Sequence, residues 1–242
     1  MPSLDSRVSS SRRAVDQRRS LRPLDQLQQA VADLIPIRPF TESVVGEEIS
    51  FVVRVKTADA TLLSLAEQVE LAGLAAALDP LSAVSGQTSL PLLLTDLIVD
   101  PYQLYESRLA GAGGVVLVAA AFDDDDEHLA HLHGLAVEIG LDVIVEVAEE
   151  REIEHSLDLL DPDSFLIRNR DSEGADEVDF ERTFSLLEEV PAGKVVVSQG
   201  GIRHQDEVEA LERAGVDAAI LGPWAATAEL TETLRMLRGE SR

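Results

Sequence analysis

Short, nearly unbroken apolar runs alternate along this chain with longer segments whose apolar positions recur at helical spacing. The stretch 90–119 shows the pattern most plainly. Leu90–Leu94 is apolar, the polar pair Thr95-Asp96 stops it, and Tyr102–Ala110 carries apolar residues at helical spacing before a glycine-rich break leads into apolar Val115–Ala119. Apolar runs without alternation belong to strands covered on both faces, and an amphipathic helix between two of them is the crossover of a parallel βαβ unit.

Eight such runs are found: Ser50–Lys56, Ala75–Leu78, Leu90–Leu94, Val115–Ala119, Asp142–Val147, Ser164–Arg168, Lys194–Ser198 and Ala218–Leu221. A plausible helix follows each run but the second, among them Leu62–Ala72, Glu149–Leu159 and Gln205–Ala214, the last stopped by Gly215 as a C-cap. Only Asp79–Ser89 separates the second run from the third, fewer residues than the dozen or so a crossover takes. The second helix is therefore predicted to be missing or reduced to a turn. Ahead of the strands, Leu24, Leu27, Gln28, Val31 and Leu34 share one face of a helix over 24–34, ended by Pro36. At 242 residues the chain has the size of one (β/α)8 barrel, roughly 250 residues. The predicted fold is an α/β TIM barrel over residues 23–242, with an N-terminal helical extension and a reduced or missing second barrel helix.

Charge and composition narrow the partners. Forty-five acidic residues against 20 Lys and Arg give a formal charge of −25, which argues against nucleic acid and anionic membranes. No apolar run approaches the roughly 18 residues of a membrane span, and residues 1–22 lack the apolar centre of a signal peptide. The absence of cysteine excludes disulfides and thiolate metal sites and suits a cytoplasmic protein. Residues 1–22 carry Arg7, Arg12, Arg13, Arg18, Arg19 and Arg22 against only Asp5 and Asp16. Such a leader is expected to fray, with the acidic body or a protein partner as its alternative destinations. Asp123–Asp126 reads as the acidic start of a helix, and His128, His131 and His133 read as a solvated face of that helix. No metal and no cofactor are expected.

In a TIM barrel the chemistry sits at the carboxyl ends of the strands. Alternation along Ser50–Lys56 puts Arg54 and Lys56 on one side at that end, and lysine occurs elsewhere only at Lys194. Glu146 interrupts the apolar run of the fifth strand near its carboxyl end, a costly position unless the carboxylate faces a polar mouth.

Pro91, Thr95-Asp96-Leu97, Ile98-Val99-Asp100 and Tyr102-Gln103-Leu104-Tyr105-Glu106 resemble the third strand and helix of the indole-3-glycerol-phosphate synthase family, and the resemblance runs from about Leu24 to the end. It implies a TIM barrel that closes an indole ring on a carboxyphenylamino-deoxyribulose phosphate, with loss of carbon dioxide and water and without a cofactor, in tryptophan biosynthesis. By this resemblance Lys56 and Glu146 match catalytic residues, in family wordings I-A-E-x-K and L-V-E-V-H. Arg170, in Leu166–Ser172, matches a substrate-contacting arginine of G-I-N-N-R-D-L. Gly201, in Ser198–Ile202, matches a phosphate-site glycine of S-E-S-G-I, and Gly222 a glycine after the last strand.

The same comparison marks departures. Thr95 stands at the family's catalytic lysine and Leu97 at its phenylalanine. Arg54 replaces a glutamate, Arg168 an asparagine, Gln199 a catalytic glutamate and Gly200 a serine, while the loop Thr57–Thr61 is shortened and lacks the family's glycine. The expected mouth is therefore cationic, with Arg54, Lys56, Arg168 and Arg170 facing Glu146 and Asp96. Guanidinium groups suit phosphate and carboxylate, so a small phosphorylated or carboxylated metabolite is expected, bound by Arg54, Arg168, Arg170, Gln199, Gly201 and Gly222, with Lys56 and Glu146 as the surviving acid–base pair. Losing one positioned acid–base group costs about 10²–10⁴-fold, so the parent decarboxylating ring closure is expected to be weak or lost. A non-catalytic paralogue serving as an anion-binding or protein-partner module, and a barrel acting on another phosphorylated metabolite, are the alternatives.

Overall fold

The computed structural model describes residues 3–240 except 38, 58, 70, 123–124 and 171–177. Eight strands, β1 (Ser50–Arg54), β2 (Gly73–Ala76), β3 (Leu92–Leu94), β4 (Gly114–Val118), β5 (Asp142–Val147), β6 (Ser164–Arg168), β7 (Val195–Gln199) and β8 (Ala218–Leu221), pair in parallel with their sequence neighbours. Pairing of β1 with β8, Phe51 opposite Ala219, closes the barrel. Two helices precede it, α1 (Leu4–Leu21) and α2 (Leu24–Ala32). Around it lie α3 (Ala60–Gln68), α4 (Leu78–Val84), α5 (Pro101–Leu109), α6 (Asp126–Glu138), α7 (Glu150–Leu159), α8 (Arg182–Leu187), α9 (Gln205–Ala214) and α10 (Leu230–Leu237).

Alternation decides which strand residues fill the barrel. Val52, Ala75, Leu93, Val116, Ile144, Leu166, Val197 and Ile220 form one inner cluster, whereas Phe51, Val53, Leu74, Leu94, Val145 and Phe165 belong to the layer beneath the helices. Phe40, fully buried, plugs the amino-terminal end: its ring lies so close to Gly73 that a Cβ there would come within 2.7 Å of it. Thr41 holds that plug by donating from its backbone N–H and its hydroxyl to Asp142 at the start of β5, at 2.7 and 2.6 Å.

The second barrel helix is reduced, as expected: α4 has seven residues. β2 ends at Ala76 and β3 begins at Leu92, each two residues inside the limits read from the apolar runs, and this leaves room for a two-turn helix. Asp96 Oδ2 accepts from the first amide of α4, Leu78 N–H, at 2.9 Å.

The frayed leader is instead the 18-residue helix α1. Its N-cap is Ser3, whose side chain accepts from Ser6 N–H. Val15 is fully buried with Leu27, Val31, Tyr102 and Tyr105. Arg18 Nε donates to both oxygens of Glu106, at 2.7 and 3.0 Å, and Arg19 pairs with Asp100 at 2.6 Å. The basic leader thus finds its counter-charges on the acidic body, where a buried valine and two ion pairs hold it. Among the described residues no helix is long and apolar enough to cross a membrane.

Candidate functional site

The residues that continue the inner rows beyond Val52, Leu93, Ile144, Leu166, Val197 and Ile220 are Arg54, Thr95, Glu146, Arg168, Gln199 and Gly222. Because side chains alternate with period two, the five that carry side chains are directed to the inside at the carboxyl end of the barrel, and Gly222 occupies the same row. This is the mouth.

Glu146 and Arg168 form its central pair. Arg168 Nε lies 2.8 Å from Glu146 Oε1, and both side chains are largely buried, 15% and 14% exposed. Arg168 Nε nevertheless has no hydrogen-bond partner, so the contact is an attraction between charges without an aligned N–H. Burial pushes the Glu146 carboxyl above the ordinary carboxylate range, against the pull of Arg168, Arg7 and Arg54, with Glu152 adding a smaller push upward. The direction follows from taking a carboxylate out of water.

Across the mouth Arg54 Nη2 donates to Thr95 Oγ1 at 3.3 Å, and the Thr95 hydroxyl donates to Ala76 O at 3.3 Å. Thr95, which the sequence resemblance sets against the family's lysine, is therefore the neighbour of Arg54, which it sets against the family's glutamate. Gln199 is register partner of both Arg168 and Ile220 and is half-buried beside the pair. Lys56 lies just past the end of β1, exposed.

Arg170 sits farther out, exposed on the rim, where its backbone bridges Val178. Asp171 and Ser172, matched to the family wording, lie outside the described residues. Beneath the rim, Asn169, Thr183 and Ser198 form a buried polar network. Thr183 Oγ1 donates to Asn169 Oδ1 at 2.9 Å and lies 2.8 Å from Ser198 Oγ, and Asn169 Nδ2 donates to Gly200 O at 3.1 Å. The network locks the loop after β6 to the loop after β7.

Gly201 has φ +84°, and a Cβ there would come 2.7 Å from Val178 Cγ1. Glycine is thus required by backbone conformation and by packing, whatever ligand its N–H meets. At Gly222 an added Cβ would come 2.9 Å from Trp224 Cδ1, and Arg203 lies over that indole at 5.2 Å. After Gly222 the chain turns through residues 223–229, and the next helix starts only at Leu230.

Of the residues singled out from sequence, Arg54, Glu146, Arg168 and Gln199 converge in the mouth, with Lys56 and Arg170 at its edge. Asp96 does not join them, because its carboxylate is engaged in capping α4. The histidines are not a solvated face throughout: His128 is half-buried, with Nε2 2.9 Å from Val99 O and its ring against Phe122. Asp125 caps α6, accepting from His128 N–H, while Asp123 and Asp124 lie outside the described residues. Sequence reasoning missed that the charge of Arg7 bears on Glu146, and it missed the Asn169–Thr183–Ser198 network. For Arg7 a signal existed in the helical spacing of Leu4, Val8 and Val15.

The family model described as indole-3-glycerol phosphate synthase matches residues 56–236. The indole-3-glycerol phosphate synthase of Leuconostoc mesenteroides is 29% identical over 263 residues, covering 98% of this chain and 99% of that protein. That of Lachnospira eligens is 37% identical over 147 residues, 59% of this chain and 53% of that protein, about half its length. Among solved structures, a mutant tryptophan synthase α-subunit from Pyrococcus furiosus matches with a TM-score of 0.60 over 78% of this chain and 98% of that one, at 15% identity. At that identity the likeness speaks for the barrel alone.

Proposed function

Because the chain belongs to the indole-3-glycerol phosphate synthase family, we propose that its barrel mouth binds a small phosphorylated or carboxylated metabolite in the cytoplasm, with the parent decarboxylating ring closure weak or lost. The observation that carries this reading is the pairing of Arg168 with the largely buried carboxylate of Glu146, with Arg54 on the same inner row of the mouth, held to Thr95. One acid among several guanidinium groups leaves positive charge to be met by a ligand, and arginine forks match carboxylate and phosphate oxygens. Arg170 on the rim, Gln199 beside Arg168, and the glycines Gly201 and Gly222 are the further substrate contacts in this proposal.

Chemistry separates the reading from that of an ordinary family enzyme. Polarising a ketose carbonyl calls for a positioned cationic acid, and Thr95 carries no such proton. Gln199 cannot exchange a proton as a carboxylate does. Lys56 and Glu146 remain as the acid–base pair, and burial raises the proton affinity of the Glu146 carboxyl, which suits a group that both takes up and gives up a proton. Arg54 against Thr95 favours a second reading, a paralogue that binds an anion without turning it over.

Rescue of a tryptophan auxotroph, combined with calorimetric titration of anthranilate-type acids and sugar phosphates, tests both. Binding without rescue, weakened by Arg170→Ala, is the expected outcome. Full rescue would overturn the loss of ring closure, and no binding of any anion would overturn the ligand site.

A further inference from the structure

We propose that Arg7, carried across the barrel mouth by α1, is a ligand-binding residue that closes an anion cage from above, with Arg54 and Arg168 forming the sides. This rests on the reading of the mouth as an anion site and names the element that roofs it.

Leu4, Arg7, Val8, Ser11, Val15 and Arg18 follow the i, i+3, i+4, i+7 spacing of one helical stripe. Five of the six are accounted for as contacts with the barrel. Leu4 and Val8 pack on Leu97, Val99 and Val118. Ser11 Oγ donates to Leu97 O at 3.0 Å, Val15 is fully buried, and Arg18 is held by Glu106. Val118 is the register partner of Glu146 across β4 and β5, so the stripe packs on a cluster that reaches the strand position next to Glu146.

Arg7 is the exception on the stripe. It lies on the same stripe as Leu4 and Val8, it is exposed, and among the described residues it forms no ion pair, whereas Arg18 and Arg19 farther along are both clasped by carboxylates. Its charge is felt at Glu146. A cation in the first turns of a helix is disfavoured by the helix dipole, so helix stability does not explain it. An anion held between α1 and the strand ends does. The acidic group is a carboxylate or a phosphate, and the two are distinguished by probe.

The test is calorimetric titration of anthranilate and of ribose 5-phosphate into the full chain and into Arg7→Gln. The control is Arg13→Gln, which lies on the opposite side of α1 and is exposed. Arg7→Gln is expected to weaken at least one probe about tenfold or more, as fits the loss of one charge-assisted contact, and Arg13→Gln to leave both unchanged. The probe that is weakened identifies the group. NMR titration of the Glu146 carboxyl gives a readout free of ligand, in which Arg7→Gln raises its midpoint and Arg13→Gln does not. Parent-like binding of both probes by Arg7→Gln, or an unmoved Glu146 midpoint, overturns the cage alone. A parent chain that binds neither probe overturns the anion site itself, and the cage with it.

Discussion

Arg168 Nε stands 2.8 Å from Glu146 Oε1, yet no N–H of that nitrogen is aligned on an acceptor. The pair is close, desolvated and imperfectly bonded, so each partner holds a charge that the other only partly offsets. Breaking such a pair from one side leaves the remaining charge stranded. Arg168→Met is expected to destabilise the fold by about 3 kcal/mol, the low end for a buried pair, since Arg54 still acts on Glu146. Arg168→Met with Glu146→Leu is expected to recover most of that loss. Urea unfolding of the three proteins checks it, and a double variant no more stable than the single would show that the pair is not the source.

The raised proton affinity of Glu146 gives folding a definite pH dependence. The folded state binds this proton more tightly than the unfolded state, so stability falls as pH rises from the ordinary glutamate value, about 4.3, up to the raised folded value, and is level beyond it. Glu146→Gln lacks this component. Relative to the parent, its stability is therefore expected to improve as pH rises through that window, measured as the difference between paired urea midpoints. A difference independent of pH would contradict the raised value.

Restoring the family's lysine at one position is not expected to restore its chemistry. Thr95 Oγ1 is 3.3 Å from Arg54 Nη2, so Thr95→Lys alone sets two cations side by side. Ring closure is expected to stay at background in Thr95→Lys and to rise by about 10²-fold or more when Arg54→Glu and Gln199→Glu accompany it, the scale of one or more positioned acid–base groups. Product formation from the synthase substrate, followed by indole absorbance, decides between them.

The glycines are expected to separate by what surrounds them. Gly201 and Gly215 both have left-handed φ, +84° and +90°, but a Cβ at Gly201 meets Val178 at 2.7 Å while nothing lies within 4 Å of one at Gly215. Gly215→Ala should cost only the backbone term, on the order of 1 kcal/mol. Gly201→Ala should cost clearly more and weaken anion binding, because the loop after β7 must shift. Thermal melts together with ligand titration test the contrast.

The docking of α1 should yield before the barrel does. Val15→Ala removes buried methyl groups, a loss of about 1–2 kcal/mol. With Arg18→Ala added, hydrogen exchange of residues 4–21 is expected to speed up while β4–β7 remain protected. Uniform acceleration over the whole chain would mean that α1 and the barrel open together.

The sequence by itself determined the eight parallel strands, because strands buried on both faces read as unbroken apolar runs of period-two residues. It also determined which end of each strand carries polar groups, and so the candidacy of Arg54, Glu146, Arg168 and Gln199. β5, β6, β8 and α9 have the limits read from the sequence, since their boundaries are marked by abrupt changes of polarity or by Gly215. Only the tertiary structure decided which of these groups meet. Asp96 was drawn away by an open helix end, a demand invisible in local pattern, and Arg168 was drawn to Glu146 across neighbouring strands. The position of α1 was decided the same way: its charges suggested attraction to the acidic body, but only the fold shows Leu4 and Val8 packed on the cluster of Leu97, Val99 and Val118. Periodicity is local and survives in the chain, whereas the neighbours of a charge are set by register and closure, which join residues far apart in sequence.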